Sequence, residues 1–397
     1  MLRMIRFELQ KIFERAIVIG SLAALLLVCF VLLQAYCFNN SRTTSLLPDG
    51  ANLSGREAIL YNQAVAKKYA GDFTDKTVAQ MVADFAEEYP QDFYALTHDE
   101  GINASLPSAY SYLSIFMPPQ NYEEILQEAT EQGSSISPLT EYGLISIADY
   151  MPLADGFFQY GYSDSWEFFF MSFCGSTLTI AIPALIVIII AVSTVFSSEY
   201  SMKTDALILT TKHGKSKQIT AKLLASFIFA TLVIGGLFIL FCATFGLQYG
   251  FVGWNTDIQT NFGLSFMAVE IPLNNLQLII LGLMVVWAAG IFTASVTALL
   301  SAITKTPFSS LIVAFMVFVV PRIIRQMLTQ NLLRDILSIF PINAVNVQEV
   351  LRLPINSQSV FYQYPYAPVV SIGIVTLMVL VLSSTIAHIA FRNHQTI

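Results

Sequence analysis

Charge is what this chain has least of. Only 12% of its 397 residues are Asp, Glu, Lys or Arg, against 55% hydrophobic, whereas a soluble domain ordinarily carries about 25% charged residues. That deficit excludes an ordinary soluble globular protein. Histidine and cysteine are also scarce, with four of each. Cys29, Cys37, Cys174 and Cys242 fall in or beside apolar runs, without metal spacing. They read as small buried hydrophobes, which leaves no disulfide framework and no metal site. No Gly-x-x-x-x-Gly-Lys-Ser/Thr phosphate loop occurs, and the pair Gly250 and Gly253 lacks the lysine. No Gly-x-Ser-x-Gly and no His-Glu-x-x-His occurs either. His98-Asp99-Glu100 are adjacent, so on a helix or strand they point different ways and read as a solvated turn. Glu123, Glu124, Glu128 and Glu131 stand at helical spacing and read as a solvated face. The chain is therefore not expected to be an enzyme or to bind a cofactor or metal.

What the chain has instead is length of apolar run. About 20 apolar residues cross a hydrocarbon core as a helix, and six segments qualify: 16–38, 167–198, 221–247, 275–303, 308–328 and 367–391. The fold class is an all-α membrane protein. The first run is too long for a signal peptide, whose apolar region is usually about 7–15 residues, and no clear small-x-small site follows it. The fifth run meets Arg322 and Arg325 near its end, and such side chains can snorkel to the interface. His388 is the main ionisable exception within the spans. Proton relays and ion sites need intramembrane charge, so an ion-coupled carrier is disfavoured.

Loop charge sets the orientation. With six spans both termini share a side, made of residues 1–15, 199–220, 304–307 and 392–397. With the residues flanking them, these segments carry eleven basic residues against four acidic ones, whereas residues 39–167 carry five basic against nineteen acidic. The positive-inside rule places both termini in the cytoplasm and the acidic segment outside. The net charge of −7 thus belongs to the outer segment and gives no reason to expect nucleic acid. Residues 39–166 are expected to form a mostly helical extracellular domain. Thr74 or Asp75 can cap a helix with Val78, Met81, Val82 and Phe85 on one face, and Asn121 can cap another. Residues 248–274 form a second outer loop. Residues 329–366, too polar to span and too apolar for a free loop, form an outer or re-entrant segment.

Two cytoplasmic stretches carry a pattern. Leu2, Ile5, Leu9, Ile12 and Ala16 fall three and four apart, with Arg3, Arg6, Lys11 and Arg15 off that stripe. A helix of this kind can lie in the interface before turning into the first span. Between the second and third spans, Glu199 and Lys203 stand four apart in the favourable order for a helical pair. After Asp205 an apolar block, Leu207-Ile208-Leu209, sits among charges, and Thr211, Gly214, Lys215, Lys217 and Lys222 lead into the third span. A short exposed helix with an apolar face can dock into a groove on a soluble partner.

These residues resemble the permease subunit of ABC-2 type ABC transporters, in topology across the whole chain and in motif over about 25 residues. That family has an amphipathic elbow helix, six spans, an acidic residue closing the second span, a leucine-rich coupling helix, a Thr-x-x-Gly-basic turn and an Ala-Lys entry into the third span. These map onto Glu199, Leu207 to Leu209, Thr211, Gly214-Lys215 and Ala221-Lys222. Lys203-Thr204-Asp205 and His213-Gly214-Lys215-Ser216-Lys217 depart from the commoner Gly-Thr and Pro-x-Ser-Arg. The resemblance implies a separate ABC ATPase subunit carrying ATP and Mg, a second permease chain as homo- or heterodimer, and a bacterial plasma membrane. It also implies outward movement of a hydrophobic or amphipathic substrate such as a peptide or lipid. The contrasting expectation is a membrane-anchored sensor or assembly protein whose outer domain binds a ligand.

Overall fold

The computed structural model describes residues 1–36, 38, 44–97, 103–117, 144–151, 157–176, 178–211, 214 and 216–393. Cys37, His98 to Glu100, the stretch from Asn121 to Glu131, Lys212, His213 and Lys215 lie outside the described residues. Among the described residues six helices are long and apolar enough to cross a membrane: Ala16–Ala35, Ala181–Ser201, Lys217–Gln248, Asn275–Ile303, Pro307–Met327 and Ala367–Arg392. The chain folds into two compact units: residues 1–33, 170–243 and 279–397 form one, and residues 34–169 and 244–278 the other.

In the first unit the second and fourth spans form the centre. Of the second span 67% is buried and of the fourth 61%, against 22%, 17% and 17% of the first, fifth and sixth. Ile189, Phe292, Ala314 and Phe318 make one packed core, with the Phe292, Phe318 and Phe340 rings 5.6–6.3 Å apart in tilted and edge-on arrangements. Two hydroxyls inside the fourth span are satisfied by their own helix. Thr293 donates to the Ala289 carbonyl and Ser295 to that of Ile291, at 2.7 Å each.

The run expected to cross as one helix over 167–198 is broken. Asp164–Phe170 is α-helical, Met171–Gly175 forms a π turn, and the α-helix resumes at Ala181–Val192. Pro183 is the cause we assign: it has no N–H to offer the Thr179 carbonyl, so it fits only in the first turn of a new helix. The gap is closed by Ile180 N–H on the Ser172 carbonyl at 3.0 Å and by the Thr179 hydroxyl on the Phe173 carbonyl. The fifth span also holds an internal proline, Pro321, just before its arginines.

The second unit is helical with two small ladders that the all-α expectation did not include. β1 (Thr44–Leu46) pairs antiparallel with β2 (Asn52–Ser54), and β3 (Gly71–Phe73) with β4 (Phe158–Tyr160). Three-residue strands are too short to establish a two-residue period. Helices Gly55–Lys68, Asp75–Glu88 and Pro90–Thr97 surround an aromatic core. Thr74 caps the second of these with a capping box, and Val78, Met81, Val82 and Phe85 are buried. Phe85 stacks on Tyr110 at 5.4 Å, and the Tyr69 hydroxyl donates to Asp84 at 2.6 Å. The 244–278 segment closes against β4: Asp257 accepts from Gln159 N–H at 2.7 Å, and Trp166 Nε1 donates to the Val252 carbonyl at 2.8 Å.

Candidate functional site

The site grows from the N-terminal helix, Leu2–Phe13. Ile12 is buried, Leu2 and Phe7 are exposed, and Glu8 is only 3% exposed. A buried carboxylate needs partners, and Glu8 has two. Lys222 Nζ lies 2.9 Å from its Oε2, and Gln218 Nε2 donates to its Oε1. Gln218 and Lys222 are one turn apart at the start of the third span, Lys217–Gln248, so they face the same way.

Glu199 completes the cluster. It stands in the short helix Ser197–Ser201 that ends the second span. Its Oε1 takes Lys222 Nζ at 2.9 Å and Lys11 Nζ at 2.8 Å, and its Oε2 takes the Thr204 hydroxyl at 2.7 Å. Lys222 also donates to the Val195 carbonyl at 3.2 Å. An ammonium has three N–H groups, so all three are spent, on Glu8, Glu199 and Val195. Lys222 is 1% exposed and Glu199 2%, and the ammonium lies 6.0 Å from the Phe196 ring centroid. Arg15 closes the edge: its Nη2 donates to Ser198 Oγ at 3.1 Å. Its charge is attracted by both Glu199 and Glu8, against a burial that lowers its pKa. Two carboxylates thus face three cations from three segments of chain.

The end of the second span is held from behind. Ser301 Oγ, in the fourth span, accepts from the Phe196 and Ser197 N–H groups at 3.0 Å and donates to the Ser193 carbonyl at 2.8 Å. The Tyr200 hydroxyl donates to the Ala302 carbonyl at 2.8 Å, and the Phe196 and Tyr200 rings pack on Phe391 of the sixth span at 5.1 and 5.5 Å.

The expected helical pair between Glu199 and Lys203 does not form. The helix stops at Ser201, Lys203 adopts a left-handed φ of 54°, and the Glu199 carboxylate is already engaged. The left-handed residue turns the chain into a second short helix, Asp205–Thr210. Asp205 at its start is buried, whereas Leu207 is 69% exposed. Ile208 and Leu209 lie in the same helix. Thr211 follows in a bend, and its carbonyl accepts from the Gly214 N–H at 3.2 Å. Lys217, Arg3 and Arg6 are exposed.

The structure therefore brings together Glu199, Lys222, Lys11 and Arg15 from the expected set and leaves Lys203, Leu207, Lys217, Arg3 and Arg6 at the surface. Glu8, Gln218, Ser301 and Thr204 join without having been singled out. Glu8 did carry a signal: it falls three after Ile5 and four before Ile12, on the apolar stripe itself. Among the described residues no group of three or more His, Cys, Asp or Glu side chains could hold a metal ion.

The cluster ties the N-terminal helix to both ends of the segment carrying the exposed Leu207. No curated protein and no solved structure matches the chain. A family model for ABC-2 family transporter proteins matches residues 5–393. With six apolar helices and a match over nearly its whole length, the chain is a multi-pass membrane protein that belongs to the ABC-2 transporter family.

Proposed function

We propose that this chain is the permease subunit of an ATP-driven exporter and that a separate nucleotide-binding subunit docks on residues 199–222 and the N-terminal helix. The observation that carries the reading is Leu207. It stands 69% exposed on a short helix strung between two spans whose ends converge on Lys222. Burying such a side chain in a partner's groove is worth about 1.5–3 kcal/mol. ATP and Mg belong to the partner, and its closure pushes the short helix and shifts the spans. Two permease chains pair through apolar faces, for which the 17%-buried fifth and sixth spans and the 22%-buried first span leave surface. The basic termini lie in the cytoplasm of a bacterial cell, the 39–166 region lies outside, and a hydrophobic or amphipathic substrate moves outward.

The test is affinity purification of the full chain from cells that also produce the ATPase. Wild type should carry the ATPase with it, and Leu207→Asp should lose it while keeping its fold. An ATPase-free complex in wild type would refute the reading. That outcome would favour a sensor, for which one observation speaks: the second unit holds a cavity of about 370 Å³ lined by Tyr112, Tyr162, Asp164 and Glu167 among others.

A further inference from the structure

The fifth span packs against the short helix Ser197–Ser201 and carries its arginines near its C-terminal end. There Arg322 and Arg325 follow Pro321, one turn apart. The chain then folds back. Asn331 caps the helix Leu332–Ser338, its side chain accepting from Arg334 N–H at 2.9 Å, and the helices Pro341–Ala344 and Val347–Arg352 follow. This return packs against the end of the span: Arg322 Nη1 donates to the Ile342 carbonyl at 3.2 Å, and Arg325 Nε to Ser338 Oγ at 2.9 Å. Arg334 Nη1 donates to the Leu328 carbonyl at 3.2 Å. Three guanidiniums thus gather in one place, and Arg334 and Arg322 both lie close enough to Arg325 to repel it.

By count the segment is cationic: residues 321–360 hold four arginines against two acids, Asp335 and Glu349. Glu349 pairs with Arg325. Asp335 is fully buried and accepts from Gln330 at 2.6 Å and from Val360 N–H at 2.8 Å. Arg352, half-buried in the last of the short helices, adds a further cation. Among the described residues the Arg334 guanidinium meets one acceptor, the Leu328 carbonyl, although it has five N–H groups to give. Around the cluster the surface is apolar: Ile323, Ile324, Met327, Leu332, Leu333 and Ile336 are 40–80% exposed. A surplus of forked cations beside uncovered aliphatic side chains, at the end of a bilayer-crossing helix, is complementary to one kind of molecule.

We propose that this return holds a bilayer phospholipid with an anionic headgroup, its phosphate on Arg322 and Arg334 and its acyl chains along Met327, Leu332 and Leu333. A planar guanidinium engages phosphate oxygens through two parallel hydrogen bonds, which a lysine cannot reproduce. The apolar collar accounts for a lipid rather than a free phosphate. The site uses none of the coupling residues and stands whether or not the ATPase docks as proposed.

The full chain should be reconstituted in nanodiscs of phosphatidylcholine, with and without a minority of phosphatidylglycerol, and retained lipid read by native mass spectrometry. Wild type should keep phosphatidylglycerol in preference, and Arg322→Gln or Arg334→Gln should each lower that preference about tenfold, the loss of one charged fork. Arg334→Lys, with the charge but not the fork, should fall between. Added inorganic phosphate should not displace the lipid. A wild-type protein that retains both lipids equally overturns the proposal regardless of how the variants fold. So does an unchanged preference in the Gln variants, which would make the arginines interface anchors only. Displacement by inorganic phosphate would assign the site to a free anion instead.

Discussion

Lys222 Nζ lies 2.9 Å from Glu8 Oε2, a contact between the third span and the N-terminal helix across 214 positions of sequence. Both side chains are almost wholly buried. Desolvating an ion pair offsets much of its Coulomb attraction, yet removing one partner strands the other. Lys222→Met should therefore cost about 3–5 kcal/mol, because it leaves Glu8 and Glu199 facing each other without their shared cation. Glu8→Leu combined with Lys222→Met should be milder than the two single changes added together. A thermal-unfolding double-mutant cycle in detergent should read a coupling of about 0.5–3 kcal/mol. Strict additivity would mean that the contact does not hold the N-terminal helix.

Ser301 offers a way to loosen the same site without touching a charge. Its hydroxyl serves two N–H groups and one carbonyl where the second span ends. Ser301→Ala takes the side-chain acceptor from the two buried N–H groups, a penalty of about 1–3 kcal/mol, while the Ser193 carbonyl keeps the Ser197 hydroxyl. If the proposed docking holds, the ATPase should still co-purify with this variant, because Leu207 is untouched, while substrate-linked ATP hydrolysis falls. Hydrolysis that stays fully coupled would show that the end of the second span does not carry the push.

The two halves of the structure differ in how far they could be read from the sequence. Apolar run length reports bilayer crossing directly, so six spans were legible, and so was the family. The break before Pro183 was not, since an uncharged run looks the same whether or not its backbone is continuous. Between the second and third spans the sequence pattern singles out Glu199 and Lys222, and the structure brings the two together. Their joint partner Glu8 was hidden, because a carboxylate on an otherwise apolar stripe looks like an interruption until the cation it meets is known. Lys203 misled for a related reason. Spacing of four residues predicts a helical pair only where the helix continues, and here a left-handed residue ends it.

Asp164 and Glu167 set a pH dependence in the second unit. Both line the 370 Å³ cavity. Burial raises Asp164 to about 6, against a hydrogen bond from Ser108. Burial and then the neighbouring Asp164 charge raise Glu167 to about 7 from 4.5. A carboxyl raised on folding keeps its proton where the unfolded chain has given it up. Stability from these groups is therefore complete below about pH 4 and declines as pH rises through 4 to 7. The second unit should lose stability over that range. Glu167→Gln should flatten the slope and leave the protein more stable than wild type at pH 8. Hydrogen exchange of the 44–97 region across pH would read it, after correction for the intrinsic pH dependence of exchange. A wild-type slope of opposite sign would contradict the assignment.

Gly253 in the second unit has no room for a side chain. Its φ of 78° is left-handed, where a Cβ is strained, and an added Cβ would overlap the Tyr162 carbonyl, which is backbone and cannot swing aside. The Gly253 carbonyl also accepts from Asn275 Nδ2 at 3.0 Å, at the point where the fourth span starts. Gly253→Ala should thus push the 244–278 segment away from β4 and release the Asp257–Gln159 pairing, at a cost of about 2–4 kcal/mol. Gly250 has a similar φ of 71° but open space around it, its nearest neighbour being Val252 at 3.9 Å. Gly250→Ala should cost only the backbone term, about 1–2 kcal/mol. Limited proteolysis of the 249–274 segment separates the two: rapid cleavage in Gly253→Ala alone is expected. Equal cleavage in both variants would reduce the Gly253 effect to backbone handedness and remove the role assigned to the close approach of Tyr162.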